Sequence, residues 1–310
     1  MTEVIDKLNG AQRSKLKITN SLGSVGGDCF LIRGKGANIL VDSGFAFSAQ
    51  KAADKIRKEL GSEALSYILL THSHYDHAMG VPALKKAFPG VKVIGSEYCD
   101  YILRKPTARK KMYEMDCKAA TAYKNEPAAD LTQLLGCDIT LKDNEEIRLG
   151  EETVRAIALP GHTRCCMGYL FTEEKLLVSC ETLGIYASNM RVFPGCLIGC
   201  QITLDSIERA LQLGLDEILI PHSGILYKPD ITAYLRESAR VTAECRELIL
   251  AAHGRGEDFD GIVEQYKKHY YSREISKSYP EHALMANLRA QIPMFINEYA
   301  LCDSGNTPGD

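Results

Sequence analysis

The segment Thr71-His72-Ser73-His74-Tyr75-Asp76-His77 follows directly on the apolar run Tyr67-Ile68-Leu69-Leu70 and is closed by Gly80 and Pro82. Four side chains able to ligate a metal fall within six positions. A short apolar run bounded by turn residues reads as a β-strand. A strand that ends in a tight loop can aim His72 and His74 one way and Asp76 and His77 another, so that two ions share one segment. A single loop histidine is more often solvated or hydrogen-bonded than bound to metal. A dense His/Asp cluster at a strand end has few structural uses other than metal binding.

Three further segments repeat the pattern of an apolar run followed by a ligand. Pro160-Gly161-His162-Thr163 follows a strand expected over Thr153 to Leu159, and Pro221-His222-Ser223-Gly224 follows the strand Glu217 to Ile220. Between them, Lys175-Leu176-Leu177-Val178-Ser179-Cys180-Glu181-Thr182 is another apolar run that ends in a carboxylate, Glu181.

This ordered set, from the His-x-His-x-Asp-His cluster through Gly161-His162 and Glu181 to His222, resembles the signature of the metallo-β-lactamase superfamily over roughly residues 17–226. The resemblance implies that His72, His74 and His162 hold one metal, that Asp76, His77 and His222 hold a second, and that Glu181 bridges them. It implies two divalent ions, zinc first, with iron or manganese as alternatives. The implied fold is α/β, a four-layer αββα sandwich with a helical C-terminal extension. The implied activity is that of a binuclear metal-dependent hydrolase acting on an acyl thioester or related ester through a metal-bound hydroxide, with Asp76 both ligating and accepting a hydrogen bond from the attacking water. The layout is similar to glyoxalase II-like and quinolone-signal response thioesterases.

Two positions depart from the family: Arg164-Cys165-Cys166 follow His162 where it often has smaller residues, and Glu181 stands where the bridging ligand is usually aspartate. Glu181 carries one more methylene, which extends its reach by about 1.5 Å unless the chain folds back. A regulatory binding protein with a weakened metal centre is the alternative that this residue motivates; lactone or phosphodiester hydrolysis is the alternative within the same chemistry. Tyr186 and Tyr227, close in sequence to Glu181 and His222, are candidate catalytic phenols able to donate to an oxyanion, with core aromatic roles as the plainer reading. Cys165, Cys166 and Cys180 lie beside these ligands; a thiolate in the metal centre is conceivable, but free cysteines behave as small buried hydrophobes.

Composition narrows the partners. The 310 residues are 45% hydrophobic, and 37 basic residues against 40 acidic ones leave a net charge of −3. No global field recruits nucleic acid or an anionic membrane. The expected partner is a small-molecule acyl substrate, with a homodimer left open. No apolar run approaches the length of about 20 residues that crosses a bilayer. Met1 to Lys7 lacks the basic start and apolar core of a secretory signal. Eleven cysteines without a CxxC pair favour a reducing compartment over a disulfide framework, so the expected location is cytoplasmic.

Along the chain, Cys29 to Asp42 reads as a hairpin turning at Gly34-Lys35-Gly36, and Asp42 ends its second strand as a turn-stabilising carboxylate or, alternatively, as a residue that orients a ligand. Ser48 to Leu60 has helical periodicity with Ser48 as cap and Gly61 as stop. Thr140 to Leu149 and Thr153 to Leu159 read as paired strands. The basic stretch Arg104 to Gly136 reads equally as a cap over the metals or a surface helical insertion. Asp230 to His253, Phe259 to Tyr271 and Glu281 to Leu301 read as helices, the last kinked or broken at Pro293. The expected division is a metallo-β-lactamase-like domain over 1–228, with the insertion at about 100–136, and a helical extension over 229–310.

Overall fold

The computed structural model describes residues 16–19, 29–187, 190–273 and 275–303. The expectation for Met1 to Lys7 lies outside the described residues. The chain packs as two compact units interleaved in sequence rather than meeting near residue 228. One holds the described residues up to Ala158 with Cys165–Cys180 and Gly214–Ile231; the other holds Leu159–Arg164, Glu181–Leu213 and the described residues from Thr232.

The first unit contains two six-stranded sheets. One is formed in order by β1 (Lys17–Thr19), β2 (Phe30–Arg33), β3 (Asn38–Val41), β4 (Tyr67–Leu69), β5 (Lys92–Ser96) and β6 (Ile139–Leu141). β1, β2 and β3 pair antiparallel, whereas β3 through β6 run parallel. The other is ordered β14-β13-β10-β9-β8-β7, with β7 (Glu146–Leu149), β8 (Glu152–Ala158), β9 (Met167–Phe171), β10 (Leu176–Val178), β13 (Glu217–Ile220) and β14 (Gly224–Tyr227). Among the described residues, only β10 and β13 pair in parallel there.

Strand periodicity sorts the apolar side chains of the first sheet into two cores. Phe30, Ile32, Ile39, Val41, Leu69 and Ile94 pack with Val154, Tyr169, Phe171 and Leu219 of the second sheet. Leu31, Leu40, Ile68 and Val93 point to the opposite face and pack with Ala52, Ile56 and Leu84 from helices α1 (Ala49–Leu60) and α3 (Val81–Ala87), the short α2 (Tyr75–Ala78) lying between these in sequence. Both faces are therefore buried, which is why these strands read as unbroken apolar runs. Helices α4 (Glu97–Arg104) and α5 (Pro106–Ala122) belong to the same unit. Met112 of α5 is part of the helix-side core, and Arg109 donates to the carbonyls of Leu103 and Leu135 at 2.6 and 2.8 Å, so the basic stretch is tied into the fold at these points.

Asp116 of α5 is fully buried and accepts the backbone N–H of Ala46 at 2.9 Å. Burial pushes its carboxyl from the ordinary 3.8 up to about 6. The native state thus holds this proton more tightly than the unfolded chain, so the contribution is present below about pH 4 and is lost as pH rises through about 6. Asp116→Asn is expected to stabilise the metal-free protein at pH 7.5 by about 1–3 kcal/mol and to flatten its stability between pH 4 and 6. Urea unfolding across that range checks this; parallel curves for the two proteins would contradict it.

The second unit holds the small hairpin of β11 (Ile185–Tyr186) and β12 (Val192–Phe193) with α6 (Cys200–Leu211), α7 (Asp230–Gly254) from Thr232 onward, α8 (Phe259–Tyr270), α9 (Ile275–Ser278) and α10 (Glu281–Asp303). Its core is Ile185, Phe193, Ile249, Tyr266, Leu284, Leu288 and Phe295.

Three local readings differ from the structure. Residues 140–149 split: β6 ends the first sheet and β7 starts the second, separated by a turn in which Asn144 takes φ 62°. Ser48 does not cap α1; its hydroxyl turns back to the Phe45 carbonyl at 3.4 Å within the 3-10 turn Ala46–Ser48. α10 continues through Pro293, because Leu284, Leu288, Ile292 and Phe295 bury one stripe on both sides of the missing N–H.

Candidate metal centre

The carboxyl ends of parallel strands are where backbone groups stop pairing and loops can present ligands. β3 ends at Asp42 and its parallel neighbour β4 ends at the Thr71–His77 loop, so both loops emerge at one end of the sheet. β13 delivers His222 in the same way.

Within the first unit, His72, His74, Asp76, His77 and His222 cluster. The His72 ring centroid lies 4.7 Å from that of His74 and 4.1 Å from that of His77, and the His77 and His222 rings meet at 5.1 Å. His77 Nε2 and His222 Nε2 stand 3.6 and 3.7 Å from the Asp76 Oδ2 atom. Those separations are too long for hydrogen bonds. They match two ligands that share an ion at about 2.0–2.2 Å each, so the donor set fits a divalent metal. Asp42 and His222 both take left-handed backbone conformations, φ 54° and 59°, the kind of local strain that persists where surrounding contacts hold it in place.

Asp42 organises the ligands from behind. It is buried and accepts the Thr71 backbone N–H at 2.8 Å and the Thr71 hydroxyl at 2.8 Å. His77 Nδ1 lies 2.8 Å from Asp42 Oδ2, and His72 Nδ1 lies 3.0 Å from the Thr71 hydroxyl oxygen. A carboxylate can only accept, so His77 carries its proton on Nδ1. The Thr71 hydroxyl gives its own proton to Asp42, so it accepts from His72 Nδ1–H. Both imidazoles thereby use Nδ1 as the donor, which leaves Nε2 as the nitrogen available to a metal. Asp42 therefore orients ligands, which corrects its reading as a turn carboxylate; two parallel neighbours ending in Asp42 and Thr71-His72 were the signal for it.

The second unit places His162 and Glu181 together, both side chains buried, with His162 Nε2 3.2 Å from Glu181 Oε2. His162 Nδ1 lies 3.0 Å from the Gly195 carbonyl, which again can only accept, and the His162 backbone N–H donates to the Thr182 hydroxyl at 3.0 Å. Glu181 opens the 3-10 turn Glu181–Leu183, whose Leu183 carbonyl accepts from Ser238 of α7 at 2.6 Å. A Cβ on Gly195 would sit 1.8 Å from the Glu181 carbonyl oxygen, so only glycine lets these two segments meet. Nothing in the sequence marked Gly195 as the partner of His162.

The two candidate phenols, Tyr186 and Tyr227, both sit among packed side chains. Tyr186 is buried on β11, its hydroxyl accepting the Met190 N–H at 3.3 Å and its ring packing edge-on to Tyr234. Tyr227 pairs with Glu217 at the far end of β13 from His222, about 10 Å along the strand, and packs on the core between the sheets. Cys165, Cys166 and Cys180 are buried, and the Cys165 thiol donates to the Ser73 hydroxyl at 3.3 Å.

Residues 22–222 match the family model of the metallo-beta-lactamase superfamily. The chain belongs to that superfamily. Its fold agrees: a metallo-beta-lactamase family protein from Thermus thermophilus superposes with a TM-score of 0.62 at 18% identity, covering 94% of each chain. An archaeal superfamily member from Sulfolobus tokodaii superposes with a TM-score of 0.59 at 20% identity, covering 93% of this chain and all of that one. Among curated proteins, the hydroxyacylglutathione hydrolase of Ectopseudomonas mendocina is 29% identical over 253 residues, 74% of this chain and 81% of that protein. That of Aliivibrio fischeri is 30% identical over 200 residues, 62% of each. The match to the Methylococcus capsulatus hydroxyacylglutathione hydrolase spans 44% of its length, so the chain spans about half the length of several relatives it matches. The superfamily fold with these His/Asp/Glu clusters implies divalent metal ions. Among the described residues no helix is long and apolar enough to cross a membrane.

Proposed function

We propose that this protein is a binuclear metal-dependent hydrolase of acyl thioesters or related esters. In this reading His72, His74 and His162 hold one divalent ion, Asp76, His77 and His222 hold a second, and Glu181 lies between them. The observation that carries it is the approach of His77 Nε2 and His222 Nε2 to one Asp76 oxygen at metal-sharing distance, with the opposite nitrogen of His77 tied to Asp42. Zinc suits this nitrogen- and oxygen-rich set. When bound, such ions polarise a carbonyl and lower the pKa of water toward neutrality.

The chain's own residues then have defined tasks. Asp42, through Thr71 and directly, keeps His72 and His77 in the ligating tautomer; the Gly195 carbonyl does the same for His162. Asp76, the least buried member of its trio, is placed to accept a hydrogen bond from the attacking water and hold its lone pair toward the acyl carbon. No protein nucleophile is required. The similarity to hydroxyacylglutathione hydrolases supports a thioester over a lactone or phosphodiester.

Purified protein reconstituted with zinc, manganese or iron is expected to hydrolyse acyl thioesters and to lose that turnover in chelator. Turnover of lactones or phosphodiesters with none of thioesters would replace the substrate class. Absence of all turnover with metal bound would favour a regulatory binding protein.

A further inference from the structure

β9 belongs to the second sheet, yet its start is tied to the metal-ligand loop at the end of β4 in the first. The Met167 N–H donates to the Thr71 carbonyl at 2.9 Å, the Tyr169 hydroxyl to the Leu70 carbonyl at 2.7 Å, and the Cys165 thiol to the Ser73 hydroxyl at 3.3 Å. Leu70, Thr71 and Ser73 bracket His72. Ser96 at the end of β5 donates to the Cys165 carbonyl at 2.9 Å, so the clamping segment is itself anchored. Tyr169 is fully buried, and with Met167 and Phe171, its alternate neighbours on β9, it faces the core between the sheets. Phenylalanine would fill a hydrocarbon core at lower cost, because a buried hydroxyl is tolerated only when it is bonded. The Tyr169 hydroxyl has that bond, and burial holds its pKa well above the ordinary phenol value, so it keeps its proton and remains a donor.

We propose that Tyr169 is a positioning residue for the metal centre: through the Leu70 carbonyl it fixes the peptide that leads into Thr71 and His72. Cys165 is a second, weaker tie at Ser73, since a thiol is a poor donor. The assignment rests on the reading of His72 as a metal ligand. Thr71 is then held from two sides. Asp42 takes its N–H and hydroxyl, and β9 holds its carbonyl and that of the residue before it. The Thr71 hydroxyl is the group that meets His72 Nδ1, so a shift of the Leu70–Thr71 peptide reaches the imidazole directly. A ligand set tolerates about 0.5 Å of such movement before its geometry is lost.

The test uses the full-length protein and zinc in competition with a chelator. Tyr169→Phe is expected to weaken zinc binding at least about fivefold, and Cys165→Ala about twofold, less than the loss of a group bonded to the ligand itself. Val154→Ala is the control: it loosens the same core between the sheets and removes no bond to the loop. Its zinc affinity should stay within about twofold of native, although it too lowers stability. Amide hydrogen exchange on the metal-free proteins gives a second readout. A uniform loss of stability lowers the protection of all globally exchanging amides alike, whereas loss of a positioning bond should lower that of the Thr71 N–H at least about tenfold more than that of the slowest amides in β9 and β10. Native zinc affinity in Tyr169→Phe, or a Thr71 amide that loses no more protection than those core amides, would overturn the assignment. If the native protein binds no zinc, the metal reading fails, and exchange alone then decides whether Tyr169 holds the loop.

Discussion

Asp42→Ala is expected to cost about 3–5 kcal/mol of stability, because it strands three buried donors at once. The Thr71 N–H, the Thr71 hydroxyl and His77 Nδ1 all depend on this carboxylate. The loss reaches the metal ligands as well. Without Asp42, His77 is no longer held with Nε2 toward Asp76, and His72 loses the relay through Thr71. Metal affinity should fall about 10–100-fold, the usual effect of removing an orienting partner behind a ligand. Urea unfolding and competition with a chelator measure the two effects separately. A variant that binds metal as tightly as the native protein would show that Asp42 serves the turn alone.

Asp76→Ala is expected to have the larger effect on catalysis and the smaller effect on folding. The side chain is partly exposed at 15%, so its removal leaves little unsatisfied in the core. It takes away the oxygen on which His77 and His222 converge and, in the proposed hydrolase, the acceptor for the attacking water. A loss of at least about 10³-fold in kcat/KM, roughly 4 kcal/mol of transition-state stabilisation, should accompany the loss of one metal equivalent. Circular dichroism should show a native fold. A variant within tenfold of native turnover would remove Asp76 from the chemistry.

The candidate ligands were legible in the sequence because their segments follow short apolar strands, and the parallel pairing of β3 with β4 and of β10 with β13 turns that linear pattern into loops at strand ends. The two-sheet fold followed from the same runs. The interleaved packing units were less legible. Residues 159–164 and 181–213 carry no compositional break, yet they pack with the C-terminal helices through contacts such as Ser238 to Leu183 and Gln291 to Cys196. Backbone partners escaped notice for the same reason: a carbonyl such as that of Gly195 belongs to every residue type and leaves no trace in a motif. Tyr227 misled because three residues of separation from Gly224 reads as proximity, whereas in an extended strand it is a span of about 10 Å. The continuity of α10 through Pro293 shows the converse, a local signal overridden by burial on either side.

Metal stoichiometry tests the proposed binuclear centre most directly. Mass spectrometry on protein purified without chelator and supplied with zinc should give two equivalents per chain, and His162→Ala should lower that to about one while the fold is retained. Two equivalents unchanged in His162→Ala, or no bound metal in the native protein after zinc, iron and manganese have each been supplied, would contradict it.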